Sequence, residues 1–126
     1  MHRSRLMSVL IDCAEAEFER GVSFWSHALG KETIRDGDRY VSLRGRVGGD
    51  GGPIVMLQRV PQAERAIHLD IETDDVAAEV ARLEKLGARR KRAVSDYVVM
   101  EAPTGHAFCV IPVRRPDFPA KAARWE

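Results

Sequence analysis

The chain has 126 residues, with 20 Lys and Arg against 19 Asp and Glu and a formal net charge of +1. That length suits one domain with a real core and is too short for two independent ones, and so even a charge balance excludes a general nucleic-acid binder, which needs a basic excess on one face. Cys13 and Cys109 form neither a disulfide framework nor a CxxC metal pair, and no apolar run approaches membrane length, so a soluble cytoplasmic protein with reduced thiols is expected.

Residues 5–12, RLMSVLID, predict a strand with Met7, Val9 and Ile11 on one face and Ser8, Leu10 and Asp12 on the other. A helix is predicted from about Glu15 to Leu29, because Phe18, Val22, Trp25 and Leu29 recur at helical spacing and Gly30 follows as a stop. KETIRDGDRYVSLRG reads as a hairpin with a two-residue Asp36-Gly37 turn, GRVGGDGG as a flexible loop, and PIVMLQRV as a strand. Pro61 to Arg65 are the expected connector.

AIHLDIETDD then predicts a strand with His68, Asp70 and Glu72 on one face and Leu69 and Ile71 on the other. Asp74 or Asp75 caps a second helix with the stripe Val76, Val80 and Leu83, ended by Gly87. The basic run GARRKRA reads as a solvated strand start in preference to a phosphate patch, after which YVVMEA and HAFCVIPV form strands around a PTG turn. The tail RRPDFPAKAARWE is broken by proline; Phe118 and Trp125 either anchor it or leave it mobile.

The two halves repeat. Gly30 and Gly87 stand 57 positions apart (87 − 30), and so do Tyr40 and Tyr97 (97 − 40). Each half reads β-α-β-β-β, which predicts an α+β fold with modules at about 5–60 and 66–113 in a single domain over 1–126, with a tail over 114–126. The helix stripes must bury against their own sheets, which turns Val9, Ile11, Leu69 and Ile71 toward the helices. Ser8, Leu10, Asp12, His68, Asp70 and Glu72 then face the other way.

FWSHALG after a first strand, HLDIETDD leading into VAAEVARLEKLGA, and VVMEAPTGHAFCVIPV resemble the vicinal oxygen chelate superfamily of glyoxalases, bleomycin-resistance proteins and extradiol dioxygenases. The likeness is greatest to its glyoxalase-like branch and covers roughly residues 5–118. It implies two tandem βαβββ modules forming a curved mixed sheet around a cup, with the ligand in the cup. The family's metal positions map onto Ser8, Met56 or Gln58, His68, and Cys109. Ser8 replaces the usual His or Gln and Cys109 the usual Glu, so only His68 matches. The expectation is therefore no bound metal and no cofactor.

His68 is the candidate catalytic or ligand-contacting residue, because imidazole titrates near neutrality and Asp70 or Gln58 can orient it. Gln58, Asp70, Leu10, Met56, Cys109 and Ser8 complete the candidate ligand-binding set. Cys109 on an apolar strand is more often an inert thiol than a nucleophile. Asp12 and Glu72 are read as helix caps in preference to cup carboxylates, His2, His27 and His106 as surface residues, and Trp25 as core. The expected function is binding of a small, partly apolar organic molecule in the cup, without a metal. The alternative is a metal-dependent lyase, isomerase or dioxygenase with altered ligands around His68. A homodimer is expected, with no nucleic-acid or membrane partner, because small open sheets leave edges to cover.

Overall fold

The computed structural model describes residues 1–61 and 66–126, so most of the expected connector lies outside the described residues. The chain divides into two compact units, one of residues 8–68 and one of residues 1–7 with 69–126. The first strand runs through both memberships. It is β1 (His2–Ala14), longer at each end than the pattern predicted.

In the unit of residues 8–68, β1 leads through a 3-10 turn (Glu15–Glu17) into α1 (Phe18–Leu29). β2 (Thr33–Asp36), β3 (Tyr40–Leu43) and β4 (Ile54–Val60) follow. The strand order is β2-β3-β4-β1, with β4 parallel to β1 and the other pairs antiparallel. Phe18 and Val22 of α1 bury against Cys13, Val41, Leu43 and Leu57, with Ile11, Trp25 and Val55 packed around them. Phe18 and Leu57 are both 0% exposed, and each such side chain contributes about 1.5–3 kcal/mol by leaving water. Leu29, expected on the same stripe, is exposed, because the helix ends there and Gly30 turns the chain away at φ +63°. The Asp36–Tyr40 pair leaves three residues in the hairpin loop, not two. Gly37 supplies the positive φ, and the carbonyl of Arg39 accepts the Arg59 N–H at 2.7 Å, which fixes the third loop residue to β4.

In the other unit, β5 (Ile67–Thr73) continues into α2 (Val76–Lys85), then β6 (Arg89–Val94), β7 (Tyr97–Glu101) and β8 (Ala107–Pro112). The order β5-β8-β7-β6, with β8 parallel to β5, repeats the first unit's order with β5 in the place of β1. Val80, Val98, Met100, Phe108 and Val110 are the core, with Ile71, Val76 and Leu83 packed against it. Asp75 is the cap of α2, accepting from the Ala78 N–H at 3.0 Å. Gly87 ends that helix at φ +105°, as Gly30 ends α1, and Tyr97 opens β7 as Tyr40 opens β3. The repeat read from the sequence is thus a repeat of βαβββ topology, and the fold is α+β with tandem modules of that kind.

The tail is built into this second unit. α3 (Phe118–Lys121) buries Phe118 to 2% exposure, and β9 (Ala123–Trp125) pairs antiparallel with His2–Ser4 of β1. Among the described residues no helix is long and apolar enough to cross a membrane.

Candidate functional site

The parallel register of β1 and β4 sets Leu10 beside Met56 and Asp12 beside Gln58. Ile11 and Leu57, one residue along, serve the helix side, so alternation turns Asp12 and Gln58 to the opposite face. The Asp12 N–H donates to the Ala66 carbonyl at 2.9 Å, which brings the start of β5 alongside. His68 follows, and its Nδ1 lies 2.8 Å from Asp12 Oδ2. The two side chains are 17% and 16% exposed, shielded enough that this charge-assisted bond outweighs a surface pair.

Asp12 is therefore a carboxylate that orients His68. The sequence pattern favours a helix cap at Asp12, and the structure corrects it. Neither the 3-10 turn nor α1 has a side-chain cap bond, because the chain leaves β1 two residues beyond Asp12. Gln58 joins the same cluster. With its amide nitrogen toward Asp12 it donates to Oδ1 at 3.0 Å, and its oxygen accepts from Arg39 Nε and Nη2 at 3.1 Å each. The Tyr40 hydroxyl stands 3.4 Å from the same amide. Residues Asp12, Arg39, Tyr40, Gln58 and His68 thus form one polar cluster on the face that Leu10 and Met56 share.

The other candidates distribute as follows. Ser8 is fully buried on β1, two residues before Leu10. Asp70 lies two residues beyond His68 on β5, and it stands opposite Cys109 in the β5–β8 register; both are half-buried. Cys13, on the helix side of β1, is a buried thiol whose pKa is pushed up by burial and by the negative charges of Asp12 and Glu17, which makes it inert. As a metal set, the positions implied by the resemblance do not fit. Ser8 offers a fully buried hydroxyl, Met56 a thioether, and Gln58 has both ends of its amide engaged, which leaves one imidazole and one thiol.

Sequence reasoning missed the buried charges of the second unit. Glu72 is 0% exposed and leaves the α2 cap to Asp75; it accepts from Arg5 Nε at 2.6 Å and from the Arg114 N–H at 2.8 Å. Arg5 also donates to Asp117 at 2.7 Å. His2 is not a surface residue: its Nε2 lies 2.7 Å from Glu79, itself 0% exposed and also bonded by Arg82. A signal for Glu79 was present, since it falls within the stripe Val76, Val80 and Leu83 of α2. His27 and His106 are exposed, as expected.

The model of the glyoxalase-like domain family matches residues 8–111. The chain belongs to that family. Among solved structures, the glyoxalase-like chain is similar to the Mn(II)-bound glyoxalase from Novosphingobium aromaticivorans, with 19% identity and a TM-score of 0.59 over 89% of this chain and 40% of that one. It is similar to 2,2',3-trihydroxybiphenyl 1,2-dioxygenase from Sphingomonas wittichii strain RW1, with 17% identity and a TM-score of 0.59 over 90% of this chain and 42% of that one. A glyoxalase/bleomycin resistance protein/dioxygenase superfamily member from Vibrio splendidus 12B01 matches over 87% of this chain and 99% of its own, with 18% identity and a TM-score of 0.54. At such identities these likenesses carry the fold. The glyoxalase-like chain spans about two-fifths of the first two. No curated protein matches it by sequence.

Proposed function

We propose that this glyoxalase-like protein binds a small, partly apolar organic molecule on the face carrying Leu10, Met56 and His68, with His68 as its principal polar contact and without a catalytic metal. The observation that carries the reading is the bond from His68 Nδ1 to Asp12 at 2.8 Å, set beside the apolar pair Leu10 and Met56. An oriented imidazole next to apolar side chains is how a small-molecule site fixes a ligand with few polar groups. The same imidazole could accept a proton from a bound molecule, with the imidazolium stabilised by Asp12.

A second reading, a metal-dependent enzyme with an altered ligand set around His68, is favoured by the placement of Asp70 on the same strand and opposite Cys109. Carboxylate, thiolate and imidazole are all zinc donors. Elemental analysis of protein purified without added metal separates the two. Near-stoichiometric metal that His68→Ala removes would replace the first reading by the second. For the first, a thermal-shift screen of small organic molecules on wild type and His68→Ala is the test. Hits whose shifts vanish in the variant support it, and hits that keep their full shifts would sink it.

A further inference from the structure

We propose that Asp12, Gln58 and Arg39 are positioning residues that together lock His68 into the tautomer with its proton on Nδ1. This inference rests on the reading of His68 as the ligand contact and says which nitrogen serves it. An ionised carboxylate only accepts hydrogen bonds, so the ring nitrogen 2.8 Å from Asp12 Oδ2 must carry a proton. In the neutral ring the lone pair then lies on Nε2, and that atom is the basic one.

Asp12 does not stand alone. Its second oxygen takes the Gln58 amide N–H at 3.0 Å, and the Gln58 oxygen is held by two nitrogens of Arg39 at 3.1 Å each. A guanidinium has donors and no acceptor, so it admits only the oxygen end of the amide. The nitrogen end is thereby forced toward Asp12. Donation runs one way, from Arg39 to Gln58 to Asp12, and it meets the donation from His68 on the same carboxylate. Gln58 is 9% exposed and the Asp12–His68 pair little more, so water competes weakly for these bonds. Arg39 sits at the exposed outer end, in the loop between β2 and β3, and its backbone is fixed by the bond from Arg59. The hairpin loop thus reaches His68 through two intervening side chains.

The readout is the ring spectrum of His68 in the unliganded full-length protein. Long-range nitrogen–proton correlation on uniformly nitrogen-15 protein distinguishes the two tautomers, and His68→Gln assigns the peaks among the four histidines. The measurement is made at about pH 9, more than two units above the ordinary imidazole value of about 6.5. Wild type is expected to hold His68 almost wholly in the Nδ1–H form, against the Nε2–H form that histidine side chains favour in water. Asp12→Asn should reduce the Nδ1–H share to a minority, and Arg39→Ala should lower it by an intermediate amount. An Nε2–H ring in wild type, a ring protonated on both nitrogens at that pH, or an unchanged Nδ1–H share in Asp12→Asn would overturn the proposal. An unchanged share in Arg39→Ala would overturn the part assigned to Arg39. Arg39 is exposed, so its variant remains informative if Asp12→Asn does not fold. None of these outcomes depends on a ligand, whereas the ligand-contact reading stands or falls on the thermal-shift hits.

Discussion

A fully buried carboxylate survives only with donors, and Glu72 has two of them, Arg5 Nε and the Arg114 N–H. Removing one partner strands the other, since Arg5 is only 7% exposed at its side chain. Glu72→Ala is therefore expected to cost about 3–5 kcal/mol, the range for breaking a buried pair from one side. The exposed pair of Arg35 with Glu19 should cost far less by the same urea titration of Glu19→Ala. Equal losses at the two sites would show that burial of Glu72 does not set its weight. Alternation along β5 gave His68, Asp70 and Glu72 a common parity, and it singled out His68. It could not give partners, because Asp12 meets His68 across 56 positions of sequence and Arg5 meets Glu72 across 67. Short-range pattern carries the face of a side chain; a partner so remote is decided by tertiary packing.

At the scale of elements, the helix stripes and the Asp75 cap were legible because each depends on residues three or four apart. The ends of β1 and the anchored tail were not, because β9 forms only by pairing with His2–Ser4. Phe118, 2% exposed under α3, is expected to cost about 3–5 kcal/mol as Phe118→Ala, which urea unfolding measures. A loss below about 1 kcal/mol would mean the tail is not part of the core. Gly21 of α1 offers a subtler test. A Cβ there would lie 3.1 Å from Cys13 Sγ and 3.6 Å from Leu57. Alanine gains up to about 1 kcal/mol of helix propensity over glycine, but the sulfur sits on a rigid strand and cannot yield freely. Gly21→Ala is expected to lower the melting temperature in wild type and to raise it in a Cys13→Ala background. The same sign in both backgrounds would rule out the sulfur contact as the reason for glycine.

Across the whole molecule the repeat was the most legible feature, since matching glycines and tyrosines mark the same points of two βαβββ modules. The membership of residues 1–7 in the unit of residues 69–126 was hidden, because their partners, Glu72, Asp74 and Glu79 among them, are remote in sequence. His2 near the N-terminus bonds Glu79, Arg82 bonds Glu79 and stacks on Trp125 at 3.8 Å, and the Trp125 indole donates to Ser4 at 2.8 Å. This clasp has a pH signature. Burial alone would raise the Glu79 carboxyl, but hydrogen bonds from Arg82, His2 and Ser4 and the charge of Arg82 outweigh it and hold the group below its ordinary 4.5. A carboxyl whose folded value is depressed contributes stability above its unfolded value and loses it as pH falls through the folded one. Wild type should therefore lose stability below about pH 4.5 more steeply than Glu79→Gln, which has no proton to take up there. At pH 7 the order reverses in cost, with the variant weaker by about 1–3 kcal/mol for its lost charge-assisted bonds. Urea midpoints from pH 7 to pH 3 on both proteins measure the two effects together. Parallel curves over that range would show that Glu79 does not govern the acid response and that the clasp of the chain ends is held by its neutral contacts.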